Sequence, residues 1–392
     1  MKLNHNLHLA YCTNIHRAET WPETLAALQE FTLAVRDRVC PGKPYAIGLR
    51  LSDLASRELS QPSALLEFRR WLDRNNCYIF TINGFPYGQF HGRRVKEQVY
   101  RPDWTSDDRV NYTNRLFDLL GQLLPPGMEG SVSTVPGSFK EFITTDDQLR
   151  LIRANIFRCV EHIERVSGQT GRWLHLGLEP EPLGLLETTD ETLGFFDRLR
   201  AEHPNDSRLA EFLGVTYDTC HLAVEFENPA ESLARLRRHG VKISKLHLSS
   251  ALKLSPAPES LAALAAFADD TWLHQVVSRA ADGKLTRHKD LEAALAAPKS
   301  PAEEWRIHFH IPLHSPPTDC FDNTTDHLLG VLDVLQADPH LCSHLEMETY
   351  TWEVMPPELK SRSVVGQLSA EYDWCLKALR VRGLAYHSNQ QN

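Results

Sequence analysis

Short apolar runs that end in polar residues alternate along the chain with longer amphipathic stretches. The apolar runs predict eight β-strands, at 7–13, 45–51, 77–83, 130–135, 173–179, 214–219, 241–249 and 343–349. The stretches between them predict helices near 21–38, 63–74, 107–124, 146–166, 189–202, 229–239, 324–336 and 366–381. This alternation indicates an α/β fold in which helices connect parallel strands.

Two of the predicted helices carry clear local signals. In 146–166, apolar residues recur at every third or fourth position from Leu149 to Ile163, as one buried helix face requires. The helix near 21–38 follows Thr20, a suitable N-cap, and has Pro22 in its first turn.

The number of strands favours a closed barrel. Eight parallel strands with helical connections close a TIM barrel, whereas a doubly wound open sheet is the alternative. No Gly-x-Gly-x-x-Gly motif follows the first strand, so we expect one (β/α)8 TIM-barrel domain over 1–392. Such a barrel needs about 250 residues, and long insertions at about 84–107 and 250–323 account for the excess. Both follow strands, which places them on the C-terminal face.

We expect regular secondary structure within the second insertion. It includes a helical stretch, a hairpin over 272–290 and a short strand over 305–311. A lid, a wall of a substrate site and a partner surface are all compatible with that position.

Composition limits the classes of partner. The 392 residues contain 42 Lys and Arg against 51 Asp and Glu, a net charge of −9, and no basic stripe suited to nucleic acid. No window approaches the roughly 18 apolar residues of a membrane span. The first residues lack the apolar segment of a signal peptide, and the eight cysteines form no Cys-x-x-Cys pair. We therefore expect reduced thiols, a cytoplasmic location and no membrane insertion.

Groups that can bind a metal stand at the ends of the last four predicted strands. They are Glu179, Asp218, His247 and the pair Glu346 and Glu348. Because strand side chains alternate between faces, Glu346 and Glu348 share one face. Three carboxylates and one imidazole would suit manganese, magnesium, cobalt or zinc, and a divalent cation would allow the carboxylates to stay ionised together.

Each of these residues also has an ordinary structural interpretation. Asp218 could cap the following helix, His247 could be a core histidine, and a glutamate at a strand end could be a cap or a surface ion-pair partner. Four such groups on consecutive strand ends favour a common site.

The run Asp218-Thr-Cys-His221, with Glu179, His247 and the terminal Glu348, resembles the xylose-isomerase-like barrels of the sugar phosphate isomerase/epimerase superfamily. In that superfamily a Glu, an Asp, a His and a Glu from strands five to eight bind a divalent metal. The resemblance implies that role for Glu179, Asp218, His247 and Glu348. It also implies that His221, three residues after the aspartate, contacts substrate.

Longer runs resemble the EboE-type metabolite traffic proteins over nearly the whole chain. These runs are Tyr11-Cys-Thr-Asn-Ile-His16, Asn83-Gly-Phe-Pro-Tyr-Gly88, Leu178-Glu-Pro-Glu181 and Glu348-Thr-Tyr-Thr-Trp352. This finer resemblance supplies no reaction.

Two choices between neighbouring residues follow from position. Glu348 lies closer to the C-terminal rim than Glu346, so Glu348 is the expected ligand, with Glu346 in a layer behind it among the residues around the substrate. Glu179 likewise fits the strand end better than Glu181.

Further polar residues are expected at the same rim. Asn14 and His16 end the first strand and are candidate substrate contacts. His308 and His310 alternate on the short predicted strand, and either bind a metal or line the pocket; His310 is the candidate substrate contact.

The resemblance implies proton transfer at a carbon next to a carbonyl, with Glu179 and Glu348 as proton acceptor and donor and a small, polar, sugar-like substrate. One alternative is a non-catalytic protein that binds and delivers a metabolite. A more distant alternative is a glycoside hydrolase with two carboxylates on the rim. A homo-oligomer is compatible with all three functions.

Overall fold

The computed structural model describes residues 1–89, 91–92, 94–268, 271–297, 302–351 and 363–386. In chain order its strands are β1 (His8–Tyr11), β2 (Tyr45–Arg50), β3 (Cys77–Asn83), β4 (Glu129–Thr134), β5 (Trp173–Leu178), β6 (Leu213–Asp218), β7 (Lys242–Leu248), β8 (Leu252–Leu254), β9 (Val276–Ala280), β10 (Leu285–His288), β11 (Ala302–Ile307), β12 (Asp322–Asn323) and β13 (His344–Met347).

Eight of these strands form a nearly closed parallel barrel with helices between them, which confirms the predicted (β/α)8 TIM barrel. Their order is β1-β13-β7-β6-β5-β4-β3-β2, and a parallel bridge between Cys12 and Gly48 joins the two end strands. Most strand residues are buried, because the barrel interior covers one face and the helices cover the other. The carboxyl ends of all eight strands therefore meet at one mouth.

The helices surround the barrel. They are Trp21–Ala27, Leu33–Val39, Asp53–Leu59, Pro62–Arg74, Asp107–Leu123, Asp146–Thr170, Thr189–Glu202, Arg208–Phe212, Thr219–Val224, Pro229–Arg238, Pro258–Leu264, Leu291–Ala296, Thr325–Ala337 and Val364–Arg380. Every predicted barrel strand and helix is present at its predicted place. The sequence analysis did not predict the short helices Asp53–Leu59, Arg208–Phe212 and Thr219–Val224, which are too short to show an amphipathic repeat.

Capping residues set where two of the long helices begin and end. Thr145 and Gln148 form a capping box at the start of Asp146–Thr170, and Gly171 ends it with φ 65°. Thr20 and Glu23 form the same motif at Trp21. The helix predicted over 21–38 is not continuous, because a π-helical turn at Leu28–Thr32 interrupts it.

The second insertion carries an antiparallel sheet of the order β10-β9-β11-β8-β12. The hairpin predicted over 272–290 is present as β9 and β10. The strand predicted over 305–311 is partly wrong, since β11 ends at Ile307. There the backbone amide of Phe309 donates to the carbonyl of Ile307 at 2.8 Å, a tight turn that diverts His308 and His310 from the sheet.

No helix of the described residues combines the length and apolar character that crossing a bilayer requires.

Candidate metal centre and active site

Four side chains from consecutive barrel strands meet at the mouth. Glu179 follows β5, Asp218 ends β6, His247 lies in β7 and Glu348 follows β13; one ligand-type atom from each lies within 4.8 Å of the others. All four side chains are buried. We call these four residues the carboxylate centre; they are the four that the family resemblance implies as metal ligands.

The His247 imidazole stands between carboxylates on both sides. Its Nδ1 lies 2.8 Å from Glu179 Oε1, 3.5 Å from Asp218 Oδ2 and 3.3 Å from Glu348 Oε2. Its Nε2 lies 2.8 Å from Glu346 Oε2. One nitrogen therefore faces three carboxylates of the centre, and the other faces a fourth carboxylate behind it.

The donor set fits a divalent cation. Glu179 Oε2 and Asp218 Oδ2 are buried and have no hydrogen-bond partner within the described part of the chain. Such orphaned carboxylate oxygens are costly unless a cation or a proton satisfies them. Several carboxylate oxygens and one imidazole nitrogen suit magnesium, manganese, cobalt or zinc.

Burial and neighbouring charges shift the pKa values of Glu348 and His247 in the centre. Burial and the carboxylates of Glu179 and Asp218 raise the pKa of Glu348 to about 8, against the lowering effect of His247. Burial lowers the pKa of His247, but Glu348 and Glu179 outweigh it and hold that pKa well above its usual value. In the absence of a metal, protons therefore occupy part of the centre near neutral pH.

Asp218 caps a helix with one carboxylate oxygen and leaves the other oxygen facing the centre. Its Oδ1 caps the helix Thr219–Val224 by accepting from the amides of Cys220 and His221 at 2.7 and 3.0 Å, and it also accepts from Ser249 Oγ at 2.7 Å. Its Oδ2 is left facing His247. The capping interpretation and the ligand interpretation are thus compatible, because they use different oxygens.

Two amides hold Glu348. Asn14 Nδ2 donates to Glu348 Oε1 at 2.7 Å, and Asn83 Nδ2 donates to the same oxygen at 3.0 Å. Asn14 was expected at this rim. Asn83 was missed as a site residue, although it ends β3 and the strand-end argument applied to β5, β6 and β7 would have selected it.

Glu346 lies one layer below the centre, as its position on β13 predicted. Lys245 Nζ donates to Glu346 Oε2 at 2.6 Å and to Ser133 Oγ at 3.0 Å. Although burial raises the pKa of Glu346, Lys245 and His247 outweigh it and bring that pKa to about 2. Glu346 does not line the cavity at the mouth. Lys245 was not assigned a role from the sequence.

Three histidines lie beside the centre. His221 comes from the first turn of Thr219–Val224, and His308 and His310 follow β11; all three are buried. The Nε2 atom of His310 is 3.1 Å from that of His308 and 3.2 Å from that of His221. Burial lowers the pKa of His310 to about 4, so its imidazole is neutral. We call these three residues the histidine cluster.

Besides Glu346, two expected substrate contacts, His310 and His16, do not line the cavity. The His16 ring stacks on Phe31 with centroids 4.7 Å apart, and its Nε2 lies 2.9 Å from the Tyr11 hydroxyl. His16 is absent from the cavity lining. Trp352, which belongs to the last run of the finer resemblance, lies outside the described residues.

A cavity of about 520 Å³ opens onto the carboxylate centre. Polar and aromatic side chains line it. The polar ones include Asn14, Asn83, Glu179, Glu181, His221, Gln275, His308 and Glu348, and the aromatic ones include Trp272 and Tyr350. A larger cavity of about 1430 Å³ lies at the amino ends of the strands, near His8 and Tyr78, away from the centre. Of these two cavities, the mouth cavity is lined by residues of the carboxylate centre.

No protein-family model and no curated protein sequence matches the chain. Solved structures do resemble it. A xylose isomerase-like TIM-barrel protein from Mycobacterium smegmatis in complex with magnesium has a TM-score of 0.54 at 12% identity, covering 97% of this chain and 99% of that one. An L-ribulose 3-epimerase has a TM-score of 0.51 at 13% identity, covering 96% and 95%.

The IOLI protein with a bound zinc atom has a TM-score of 0.50 at 11% identity and covers 96% of this chain and 99% of that one. At such identities the similarity concerns the fold. The finer resemblance to the EboE-type proteins stays a prediction. The chain thus shares the (β/α)8 TIM-barrel fold of these structures, among which are a xylose isomerase-like protein and a sugar epimerase.

Proposed function

We propose that the protein is a divalent-metal-dependent isomerase or epimerase that moves a proton at a carbon next to the carbonyl of a small sugar-like substrate. The observation that carries this proposal is the carboxylate centre itself, four ligand-type side chains within 4.8 Å at the mouth of the barrel. TIM-barrel enzymes hold their catalytic groups at this end of the strands. The epimerase and metal-bound structures of the same fold agree with it.

In this proposal Glu179, Asp218, His247 and Glu348 hold the cation. A cation bound there would polarise the substrate carbonyl and stabilise the negative charge that develops on its oxygen. Magnesium, manganese, cobalt and zinc all suit the donor set.

The two glutamates perform the proton transfer. Glu179 has an oxygen without a hydrogen-bond partner among the described residues, and Glu348 has a pKa raised to about 8. One carboxylate removes the proton from the carbon, and the other returns a proton to the neighbouring position or to the opposite face. Asn14 and Asn83 fix Oε1 of Glu348, so that its Oε2 points into the centre.

The cavity lining supports a polar ligand of modest size. His221 stands where it would contact a substrate hydroxyl, and Asn14 and Gln275 offer further amide groups. Trp272 and Tyr350 close the other side of the cavity with aromatic surface, a combination that suits the face of a sugar ring. His310 does not line the cavity; its Nε2 lies 3.2 Å from that of His221, so it would influence a substrate only through His221.

The test is exchange of deuterium from solvent into the carbon next to the carbonyl. Ketopentoses and ketohexoses are incubated in D₂O with the manganese-loaded protein and followed by proton NMR. We expect exchange by the wild type and a loss of about 10²–10⁴-fold in Glu179→Gln and Glu348→Gln. Glu129→Gln, the same change at the other end of the barrel, is the matched control and keeps the wild-type rate.

Three results would count against this proposal. Exchange that persists in both glutamine variants would contradict the proton-transfer roles assigned to Glu179 and Glu348. Saturable binding of a sugar without any exchange would favour the alternative of a protein that binds and delivers a metabolite. A glycoside hydrolase would need neither the cation nor His247, so release of reducing sugar by metal-free protein would favour that third function.

A further inference from the structure

The histidine cluster has a feature that the proposed proton transfer does not use. Three imidazoles from two separate segments, His221 on one and His308 and His310 on the other, converge beside the carboxylate centre. Their Nε2 atoms meet at 3.1 Å between His308 and His310 and at 3.2 Å between His310 and His221. Whether these nitrogens form hydrogen bonds with one another depends on which of them carry a hydrogen.

Backbone carbonyls determine the tautomers of two of the rings. His221 Nδ1 lies 3.2 Å from the carbonyl oxygen of Pro180, and His310 Nδ1 lies 3.0 Å from the carbonyl oxygen of Glu348. A carbonyl oxygen can only accept a hydrogen bond. Nδ1 therefore carries the hydrogen in both rings, and in each neutral ring Nε2 presents a lone pair.

A glutamine determines the third tautomer. His308 Nδ1 lies 2.8 Å from Gln275 Oε1, and Gln275 Nε2 donates to the carbonyl of Pro182 at 3.0 Å. Because that second bond requires the amide nitrogen, the group facing His308 is the amide oxygen. His308 therefore also carries its hydrogen on Nδ1 and presents a lone pair at Nε2.

The Nε2 lone pairs of His308 and His221 thus both face that of His310 without a hydrogen to share. The Tyr350 hydroxyl is 3.5 Å from His308 Nε2 and can donate to one of them at most. A zinc ion bound at about 2.0–2.1 Å would separate tetrahedral ligand nitrogens by about 3.3 Å, close to the two observed contacts. Imidazole ligands whose other nitrogen donates to a carbonyl are the usual form of a metal-bound histidine.

A carboxylate completes the set. Glu181 is buried, and its Oε1 has no hydrogen-bond partner among the described residues. Its Oε2 lies 3.9 Å from His221 Nε2, and ligand-type atoms of Glu181, His221 and His308 lie within 4.8 Å of one another. Cys220 also adjoins the cluster, and its ligand-type atom lies within 4.8 Å of those of His308 and His310. Its thiol donates to the carbonyl of Phe309 at 3.4 Å, and we leave it out of the proposed ligand set.

We propose that His221, His308 and His310, with Glu181, bind a second cation beside the carboxylate centre. Three imidazoles and one carboxylate favour zinc or another late transition metal over magnesium. The site does not depend on the proposed isomerase reaction. If that reaction occurs, His221 binds the second cation, and the cation rather than the imidazole contacts a substrate hydroxyl.

The test counts metal ions in variants that remove one nitrogen at a time. In His308→Asn and His310→Asn, the asparagine amide stands near the place of Nδ1 and keeps the donor to Gln275 or to Glu348, while the Nε2 lone pair is lost. His162→Asn, on the outer helix Asp146–Thr170, is the matched control. Apo protein is loaded with zinc sulfate alone, desalted and analysed for zinc, and circular dichroism confirms that each variant is folded.

We expect two zinc ions per chain in the wild type and in His162→Asn, and one in His308→Asn and His310→Asn. A parallel cobalt titration should lose the strong visible bands of a four-coordinate nitrogen-rich site in the two cluster variants only. Asp218→Asn and Glu348→Gln should instead lose the other ion.

The two proposed metal sites predict different patterns of metal loss among these variants. One ion per chain that survives His308→Asn and His310→Asn but disappears in Glu348→Gln would overturn the second site and leave the carboxylate centre standing. One ion that disappears only in the histidine variants would support the second site and overturn the first. A wild type without bound zinc would overturn both.

Discussion

The Nε2 atom of His247 lies 2.8 Å from Oε2 of Glu346, while Nδ1 of the same ring faces the carboxylate centre. Because Glu346 is an acceptor with a pKa of about 2, it keeps the hydrogen of His247 on Nε2. Nδ1, which lies 2.8 Å from Glu179 Oε1 in the metal-free protein, can then bind a cation when it loses its own proton. A carboxylate behind a metal-binding histidine is a common arrangement and strengthens the ligand.

Glu346→Gln should therefore weaken metal binding without removing any ligand of the centre. Because Lys245 and His247 both contact Oε2 of Glu346, the amide oxygen of the introduced glutamine would take that place, and as a neutral acceptor it would strengthen the His247 ligand less than the carboxylate does. We expect manganese affinity to fall by about 10–100-fold, measured by isothermal titration calorimetry. Glu67→Gln, the same change at an exposed glutamate, should leave the affinity unchanged. An unchanged affinity in Glu346→Gln would mean that His247 does not bind through Nδ1.

Metal binding at the carboxylate centre should depend on pH. In the metal-free protein the pKa of Glu348 is raised to about 8 and that of His247 is also raised, so a cation must displace protons at neutral pH. Affinity should fall by about tenfold per unit as the pH drops below 8.

The displaced protons are directly measurable. Calorimetric titration with manganese at pH 7 in two buffers of different ionisation enthalpy should show release of about one proton or more per ion. Above pH 9 the release should diminish, because Glu348 is then already ionised. Binding at pH 7 with no proton release would contradict the arrangement of ionisable groups described here.

Gly48 makes room for Glu346 inside the barrel. A Cβ atom at this position of β2 would stand 2.0 Å from Glu346 Oε1 and 2.7 Å from the carbonyl oxygen of Tyr11. Glu346 cannot withdraw, because Lys245 and His247 hold it from the other side. Gly48→Ala should therefore lower the free energy of unfolding by about 1–3 kcal/mol and also weaken manganese binding.

Gly194→Ala is the matched control for that change, because a Cβ there meets nothing within 4 Å. Urea denaturation of both variants, with manganese titration of each, separates the two effects. Equal stability of Gly48→Ala and Gly194→Ala would show that the barrel interior has more room at Gly48 than its geometry indicates.

The sequence predicted those parts of the molecule that depend on short-range pattern. The barrel strands are apolar runs, and their carboxyl ends must share a mouth, so Glu179, Asp218, His247 and Glu348 could be grouped before their distances were known. Glu346 could be placed behind Glu348 because side chains on a strand alternate. These inferences use only the alternation of side chains along a strand and the parallel arrangement of the strands.

The parts that the sequence did not predict depend on contacts between distant segments. Asn83 holds Glu348 across 265 positions of the chain. His308 and His310 meet His221 because the turn after β11 directs them over the barrel mouth, whereas the alternating pattern suggested a strand. Gln275, which orients His308, belongs to the insertion. Periodicity carries no information about such pairings.

Glu371 provides a last prediction, on stability. Its buried side chain accepts from Thr349 Oγ1 at 2.6 Å and from the amide of Leu313 at 3.1 Å, and Oε2 has no hydrogen-bond partner among the described residues. Burial raises the pKa of this carboxyl to about 7 from an ordinary value of 4.5. Between those two pH values the folded protein binds a proton that the unfolded chain has lost, so stability falls as the pH rises and becomes level above 7.

The loss amounts to about 3 kcal/mol, and Glu371→Gln should remove it. Gln has no proton to lose, and its amide oxygen can accept from the same two donors, so the variant should match the wild type near pH 4.5 and exceed its stability by about 3 kcal/mol at pH 8. Urea denaturation at both pH values measures the difference, with the exposed carboxylate variant Glu67→Gln as the control. A difference between Glu371→Gln and the wild type that stays constant with pH would show that Glu371 is ionised in the folded protein throughout this range.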